Sequence, residues 1–307
     1  MVQEFKPYLQ HVKGNTYCVV TEYMRLPLYR LNEQEAILID SGLPREWEAI
    51  SQVLQAENLK ITSVLTSHGH PDHVGNHVTL RKLYGAKLYS SVFTAAVYSS
   101  PMNLFSSIAH AGTYRGLATR RSYSYFVPDV IFHWTDKSIT IDGVTFEILQ
   151  LEGHSAEHMG IVTPDGVCYV GDLVLSEAML QSLSIPYCIC LELNLQALDR
   201  IMETKYDKYI FAHNGVCDDI RELAERNRDN FLEKVELTAS LIDGPVTKNE
   251  LVIRFVQATG KDLNSARRVH GIHHNISTLL THLIDTGRIQ ERIQDGLCQY
   301  IPAGYQD

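Results

Sequence analysis

Three imidazoles and a carboxylate fall within six positions of the run Thr66-Ser67-His68-Gly69-His70-Pro71-Asp72-His73. Imidazole nitrogens and carboxylate oxygens are ligands for first-row divalent metals. Such crowding in one tight loop is hard to explain as packing, so metal chemistry outranks a chance surface cluster. Three more positions share the same context: His154 in Leu151-Glu152-Gly153-His154-Ser155, Asp172 in Tyr169-Val170-Gly171-Asp172, and His213 in Phe211-Ala212-His213-Asn214-Gly215. Each follows an apolar run, and a glycine just before His154 and Asp172 lets the backbone turn tightly beside a ligand. Singly, each is more often a capping Asp or a satisfied core His. Jointly they place a candidate ligand at four strand ends, which on one rim of a sheet lie side by side.

The elements that deliver these residues follow from hydrophobic period and punctuation. Ile61-Thr62-Ser63-Val64-Leu65 reads as a buried strand stopped by the His-rich loop. Before it, Tyr17-Cys18-Val19-Val20 and Ala36-Ile37-Leu38-Ile39 read as strands of a hairpin or meander. Asp40-Ser41-Gly42-Leu43-Pro44 then opens a helix around Trp47 to Glu57. A helix from about Val74 to Tyr84 and a strand at Lys87-Leu88-Tyr89-Ser90 complete a strand–helix–strand alternation, which indicates a layered α/β architecture. Residues 91–133 mix Phe93, Tyr98, Phe105, Tyr114, Tyr123, Tyr125 and Phe126 with Arg115, Arg120 and Arg121. They read as a partly helical insertion, equally a cover for a sheet edge or a substrate lid. A hairpin turns at Asp142-Gly143, and strands follow at Gly160-Ile161-Val162, Val167-Cys168-Tyr169-Val170 and Tyr209-Ile210-Phe211, with a helix near Asn194 to Thr204.

A charged helix from Asp218 to about Ile242 stops at Asp243-Gly244-Pro245, the clearest boundary, dividing a domain of residues 1–243 from residues 244–307. In the second part, Thr247 with Glu250 forms a capping box. A helix spans Ile276 to Ile284, and residues 288–301 read as a two-stranded hairpin. Helices followed by a hairpin make a winged-helix-like module.

Bulk properties bound the function. The chain has 307 residues, 45% hydrophobic and 21% charged, as expected of a globular protein with a substantial core. A formal charge of -9 argues against a life on nucleic acid. In the C-terminal module the charges nearly balance, and Ser277, Thr278, Thr281 and His282 offer no cation for phosphates. Packing or homodimerisation is therefore the expected role. No run approaches the roughly 18 apolar residues of a membrane span. Six scattered Cys without a CxxC pair, behind a start that lacks a leader pattern, fit reduced thiols in the cytoplasm.

His-x-His-x-Asp-His, Gly-His, Gly-Asp and a late His, in that order over roughly residues 10 to 240, resemble the metallo-β-lactamase superfamily. The pattern is more like its dinuclear glyoxalase-II-like branch than the Cys-containing lactamases. The resemblance implies an α/β (α+β) fold: an αββα sandwich with the metal site at one edge of its two sheets, here followed by the small winged-helix-like domain. It implies that His68, His70 and His154 hold one ion and that Asp72, His73 and His213 hold the other, with Asp172 bridging. Asp40 and His158 would orient the ligands from behind. Two divalent ions about 3.5–4 Å apart share a hydroxide whose attack on a carbonyl or phosphoryl group they assist, with Asp72 placed to handle a proton. Zinc suits these ligands, and so do manganese and iron.

A small-molecule ester, thioester or lactone is the expected substrate. The last motif departs from the Cys-Gly-His-Glu-like motif of glyoxalase II, and Leu173, Val174 and Leu175 stand where lactonases of acylated homoserine lactones carry a Tyr. The alternatives are an iron-dependent oxidoreductase resembling the persulfide dioxygenases, a phosphodiesterase or nuclease, and a non-catalytic binding protein. His77, His110 and His133 have no ligand-like context. His270, His273 and His274 suit a helix-end or interface role better than a third metal.

Overall fold

The computed structural model describes residues 5–108, 115, 125–213, 215–261 and 263–306. The first half builds a seven-stranded sheet in chain order: β1 (Tyr8–Lys13), β2 (Thr16–Val20), β3 (Arg25–Arg30), β4 (Glu35–Ile39), β5 (Lys60–Leu65), β6 (Lys87–Ser91) and β7 (Val130–Phe132). β1 to β4 pair antiparallel and β4 to β7 parallel. The crossovers between parallel strands carry α1 (Trp47–Ala56), α2 (Pro71–Val74), α3 (His77–Tyr84), α4 (Val92–Tyr98) and α5 (Pro101–Ile108).

Where one helix was expected over 74–84 there are two, because Pro71 nucleates a four-residue helix inside the His-rich loop before α3 begins. Strand β3 has no sequence signal, since Pro27 lacks a ladder donor and argues against a central strand, yet it pairs with Cys18. The insertion is helical at α4 and α5. His110, Tyr114, Arg120, Arg121 and Tyr123 lie outside the described residues.

The second sheet comprises β8 (Ser138–Ile141), β9 (Val144–Gln150), β10 (Met159–Val162), β11 (Val167–Tyr169), β12 (Lys208–Phe211) and β13 (Gly215–Cys217), in the order β13-β12-β11-β10-β9-β8. The Asp142-Gly143 hairpin turns with both residues at positive φ, 49° and 82°. β11 and β12 are parallel, and β10 runs against both β9 and β11. The C-terminal ends of β9, β11 and β12 and the start of β10 therefore share one rim.

Alternation along these strands sorts their side chains between two cores. Phe146, Ile148, Tyr169 and Ile210 join the core between the sheets, with Leu38, Val64 and Leu88. Leu151, Cys168, Val170, Tyr209 and Phe211 face a second core on the outer side, against α6 (Glu177–Ser182), α7 (Leu191–Met202) and α8 (Arg221–Ser240). The layers are helix, sheet, sheet, helix, the expected αββα arrangement.

Beyond α8 come β14 (Val246–Thr247), α9 (Lys248–Thr259), α10 (Ala266–Asp285), β15 (Ile289–Gln294) and β16 (Leu297–Pro302). The expected hairpin gains a third strand, giving the order β14-β16-β15. The Thr247–Glu250 capping box is present as expected. Ile272, Ile276, Leu279 and Leu283 pack in the same core as Leu151 and Tyr209, so this part is fused to the outer face of the second sheet. All six cysteines are free thiols. Among the described residues no helix is long and apolar enough to cross a membrane.

Candidate metal centre

The four ligand-bearing strand ends come from both sheets. The end of β5 supplies the His-rich loop, and the ends of β9, β11 and β12 supply His154, Asp172 and His213. The sheets are stitched at this rim by backbone bonds, Met159 N–H to Ser67 O at 3.1 Å and Arg25 N–H to Ala212 O at 2.8 Å. The ligand-bearing ends thus lie not on the rim of one sheet, as the strand pattern alone suggests, but along a seam at the edge of both sheets, as the family resemblance implies.

All seven expected ligands converge there. Ligand atoms of His68, His70, His154 and Asp172 lie within 4.8 Å of one another, and those of Asp72, His73, Asp172 and His213 do likewise. Asp172 belongs to both groups. Its Oδ1 is 3.3 Å from His73 Nε2 and 3.4 Å from His213 Nε2, and its Oδ2 is 3.5 Å from His154 Nε2. His70 Nδ1 lies 2.9 Å from His154 Nε2, and Asp72 Oδ2 lies 3.5 Å from His213 Nε2.

The fit to a cation rests on buried atoms to which the protein gives no hydrogen-bond partner. His68 Nε2, His73 Nε2 and Asp172 Oδ1 are fully buried and make no hydrogen bond. Buried polar atoms are almost always partnered, so three orphans within the two groups fit residues that would hold cations. His77, four residues after His73, is the internal contrast: Ser41 Oγ and Thr66 Oγ1 each lie 2.7 Å from one of its ring nitrogens. It is a satisfied core histidine. His133 bonds Thr135 on the surface.

Several of these side chains are aimed from behind. Asp40, directly after β4, adopts the left-handed conformation at φ 58°, a strained position for a non-glycine residue. Its carboxylate accepts from Ser67 N at 2.7 Å, Ser67 Oγ at 2.6 Å, Tyr169 OH at 2.9 Å and His73 Nδ1 at 2.7 Å. The last bond fixes the tautomer of His73 and turns Nε2 toward Asp172. His154 Nδ1 is directed at Tyr187 O and His213 Nδ1 at Tyr23 O, both at 3.1 Å. His158 Nδ1 faces Leu151 O at 3.0 Å, and its Nε2 accepts from Asp172 N at 3.2 Å, so it holds the Asp172 backbone and leaves no nitrogen for a metal. Gly171 is required here, because a Cβ at its φ of 54° would sit 2.6 Å from His158 Nε2. From the insertion, Tyr98 OH donates to Gly69 O at 2.9 Å and braces the His-rich loop.

Sequence reading missed Tyr169, Ser67, Tyr98 and the Tyr187 and Tyr23 carbonyls. A backbone acceptor carries no residue signature. An inward Tyr on a strand looks like ordinary core, and only its pairing with the flagged Asp40 could have singled it out.

The electrostatics divide the imidazoles. Burial first, then neighbouring histidines, hold His68 and His154 well below the ordinary imidazole range, so both are neutral with lone pairs to offer. Burial likewise holds His158 down at about 3. His73 and His213 go the other way. Burial opposes it, but Asp172 with Asp40 raises His73, and Asp172 with Asp72 raises His213 to about 10. Burial pushes Asp72 and Asp172 up, and His73 and His213 outweigh it, leaving both carboxyls below their usual range. A place that draws protons onto two imidazoles and keeps two carboxylates ionised also draws cations.

The family model described as the metallo-beta-lactamase superfamily matches residues 28–213, a stretch that holds all seven of these side chains and more than half of the chain. The chain belongs to the metallo-beta-lactamase superfamily. The superfamily is enzymatic, and two curated relatives are named as hydrolytic enzymes. Hydroxyacylglutathione hydrolase GloC of Haemophilus influenzae is 30% identical over 144 residues, 47% of this chain and 63% of that one. The chain thus spans less than two thirds of that relative's length. Atrochrysone carboxyl ACP thioesterase of Passalora fulva is 22% identical over 296 residues, 92% of this chain and 74% of that one. The solved structure of a metallo-beta-lactamase family protein from Thermus thermophilus superposes with a TM-score of 0.69 at 20% identity, covering 97% of this chain and 98% of that one. The fold is therefore shared along nearly the whole chain, including residues beyond α8.

Proposed function

We propose that the protein is a dinuclear metallohydrolase that cleaves a small-molecule ester, thioester or lactone. One observation carries the reading: a single carboxylate, Asp172, belongs to two ligand groups that otherwise share no residue. His68, His70 and His154 would hold one ion, Asp72, His73 and His213 the other, and Asp172 would bridge. When bound, such a pair activates water and polarises the carbonyl under attack. Zinc is the favoured metal for this donor set. Asp40 and His158 keep the ligands aimed, while Asp72, the more exposed of the two carboxylates in the groups, is the residue to orient or accept a proton once the ions are bound. The names hydroxyacylglutathione hydrolase and thioesterase borne by two relatives support acyl transfer to water.

Residues 244–307 are read as a winged-helix-like module, on the succession of strand, two helices and hairpin with the order β14-β16-β15. Its role is packing rather than nucleic-acid binding. The test is metal analysis of protein purified without added metal, followed by a panel of thioester, lactone and phosphodiester substrates. Two zinc ions per chain with thioester or lactone turnover are expected. One iron per chain with oxygen consumption would replace the hydrolase reading by an oxidoreductase one, and turnover confined to phosphodiesters would move the substrate class.

A further inference from the structure

The segment between α6 and α7 touches the metal centre on one side and α10 on the other. Toward the centre, Tyr187 O faces His154 Nδ1 at 3.1 Å, and Ile189 N donates to Gly153 O at 2.8 Å. The Tyr187 ring lies edge-on to His70 and His154, with centroids 5.3 and 5.6 Å away. Gly153 lies so close to α7 that a Cβ would sit 2.2 Å from Asn194 N. Toward the C-terminal module, the other face of Tyr187 stacks on His274, centroids 5.0 Å apart and planes 17° apart. Asn275 Nδ2 donates to Ile185 O and Thr278 Oγ1 to Cys188 O, both at 3.1 Å and both from buried side chains. His274, Asn275 and Thr278 occupy one face of α10, at the spacing of a single helical turn.

We propose that α10 is a positioning device for the first metal: His274, Asn275 and Thr278 fix the Ile185–Cys188 segment so that Tyr187 orients His154 and walls the site. The inference rests on the metal-centre reading above. It gives the module a task besides closing a core, and gives His274 a reason to be aromatic where Leu would pack as well. It also uses the helix that a winged-helix protein would present to nucleic acid, turned here toward the enzyme's own centre. His274, Asn275, Thr278 and Tyr187 are positioning residues, acting through His154.

The experiment compares wild type, His274→Ala, His274→Phe and Arg288→Ala, each as the full chain. Arg288 pairs with Glu236 on α8, away from the segment, and serves as the control for general loosening of the module. Zinc retention is measured against a chromophoric chelator, the cobalt-substituted visible spectrum is recorded, and the unfolding midpoint of metal-free protein is followed. Loss of an outer partner of a ligating His costs about 10–100-fold in metal affinity. His274→Ala is expected to weaken one of two zinc sites by about 10-fold and alter the cobalt spectrum. His274→Phe should restore both, and Arg288→Ala should leave both unchanged. If His274→Ala holds zinc as wild type does, or if Arg288→Ala weakens zinc equally, α10 only packs and the proposal fails alone. If wild type retains no zinc or cobalt, the metal-centre reading fails and this one goes with it.

Discussion

His73 takes its orientation from Asp40, a buried carboxylate that also gathers Ser67 and Tyr169, whereas His154 takes its orientation from one backbone carbonyl on a segment held by a distant helix. The first support is local to the seam and charge-assisted, and such bonds are roughly twice as strong as neutral ones. The second is long-range and neutral. Both imidazoles face the same Asp172, so the centre joins one ligand held by local charge-assisted bonds to one whose aim depends on tertiary packing. A buried carboxylate can serve only where enough donors surround it, and the seam supplies them. On the His154 side the acceptor is instead the Tyr187 carbonyl.

Removing what the two ligands share should have the largest effect. Asp172→Asn is expected to abolish turnover and lower bound metal below two per chain, measured by elemental analysis with kinetics. Retention of both ions would show that the two do not meet at this carboxylate. Next, Asp40→Ala strips His73 of its acceptor and leaves the other donors unmet. Unfolding should become easier by about 3–5 kcal/mol, the usual cost of breaking a buried charged network. Metal affinity should fall by about 10–100-fold at the site of His73, and less at the site of His68, which Asp40 reaches only through Ser67. Equal loss at both sites would erase the distinction between the two supports.

His77 separates histidines that await a cation from those already satisfied. Burial holds it down at about 3, so between there and its unfolded value of 6.5 only the unfolded chain binds its proton. Stability from this group is complete above pH 6.5 and is lost as pH falls, by about 1.4 kcal/mol per unit. Denaturant midpoints of metal-free protein from about pH 7 to 4 should slope less in His77→Gln, and an unchanged slope would mean that His77 does not titrate this way. The smallest effect is expected from Tyr169→Phe, which deletes one donor to Asp40 and keeps the ring in the core. A loss of about 1.5–3 kcal/mol in stability, with metal binding weakened far less than in Asp40→Ala, would fit a carboxylate held by redundant donors.

Much of the candidate site was legible because ligands at strand ends are announced locally. An apolar run that stops at a His or Asp with a Gly or Pro close by is a short local pattern, and it located His68, His70, Asp72, His73, His154, Asp172 and His213. The αββα layering was legible through the family resemblance and the strand–helix alternation. What escaped has no local signature. Pro27 hid a strand whose pairing partners excuse the missing donor. A break at Gly75-Asn76 separates Pro71–Val74 from His77–Tyr84 where the apolar period runs straight through. The division of ligands between two sheets depends on topology, which spacing does not encode. His274 stood out as one of a cluster, but its stacking on Tyr187 joins positions 87 residues apart and only the folded chain displays it.

That separation has a consequence for the order in which the protein matures. During synthesis all seven side chains leave the ribosome by residue 213, while Asn275 and Thr278, which fasten the segment behind His154, emerge later. At about 5–20 residues per second the nascent enzyme spends several seconds with the Asp40 support of His73 complete and the segment behind His154 unfastened. On the positioning role proposed for α10, the last helices would set when His154 is first held in place, and metal loading would be a late step in biogenesis.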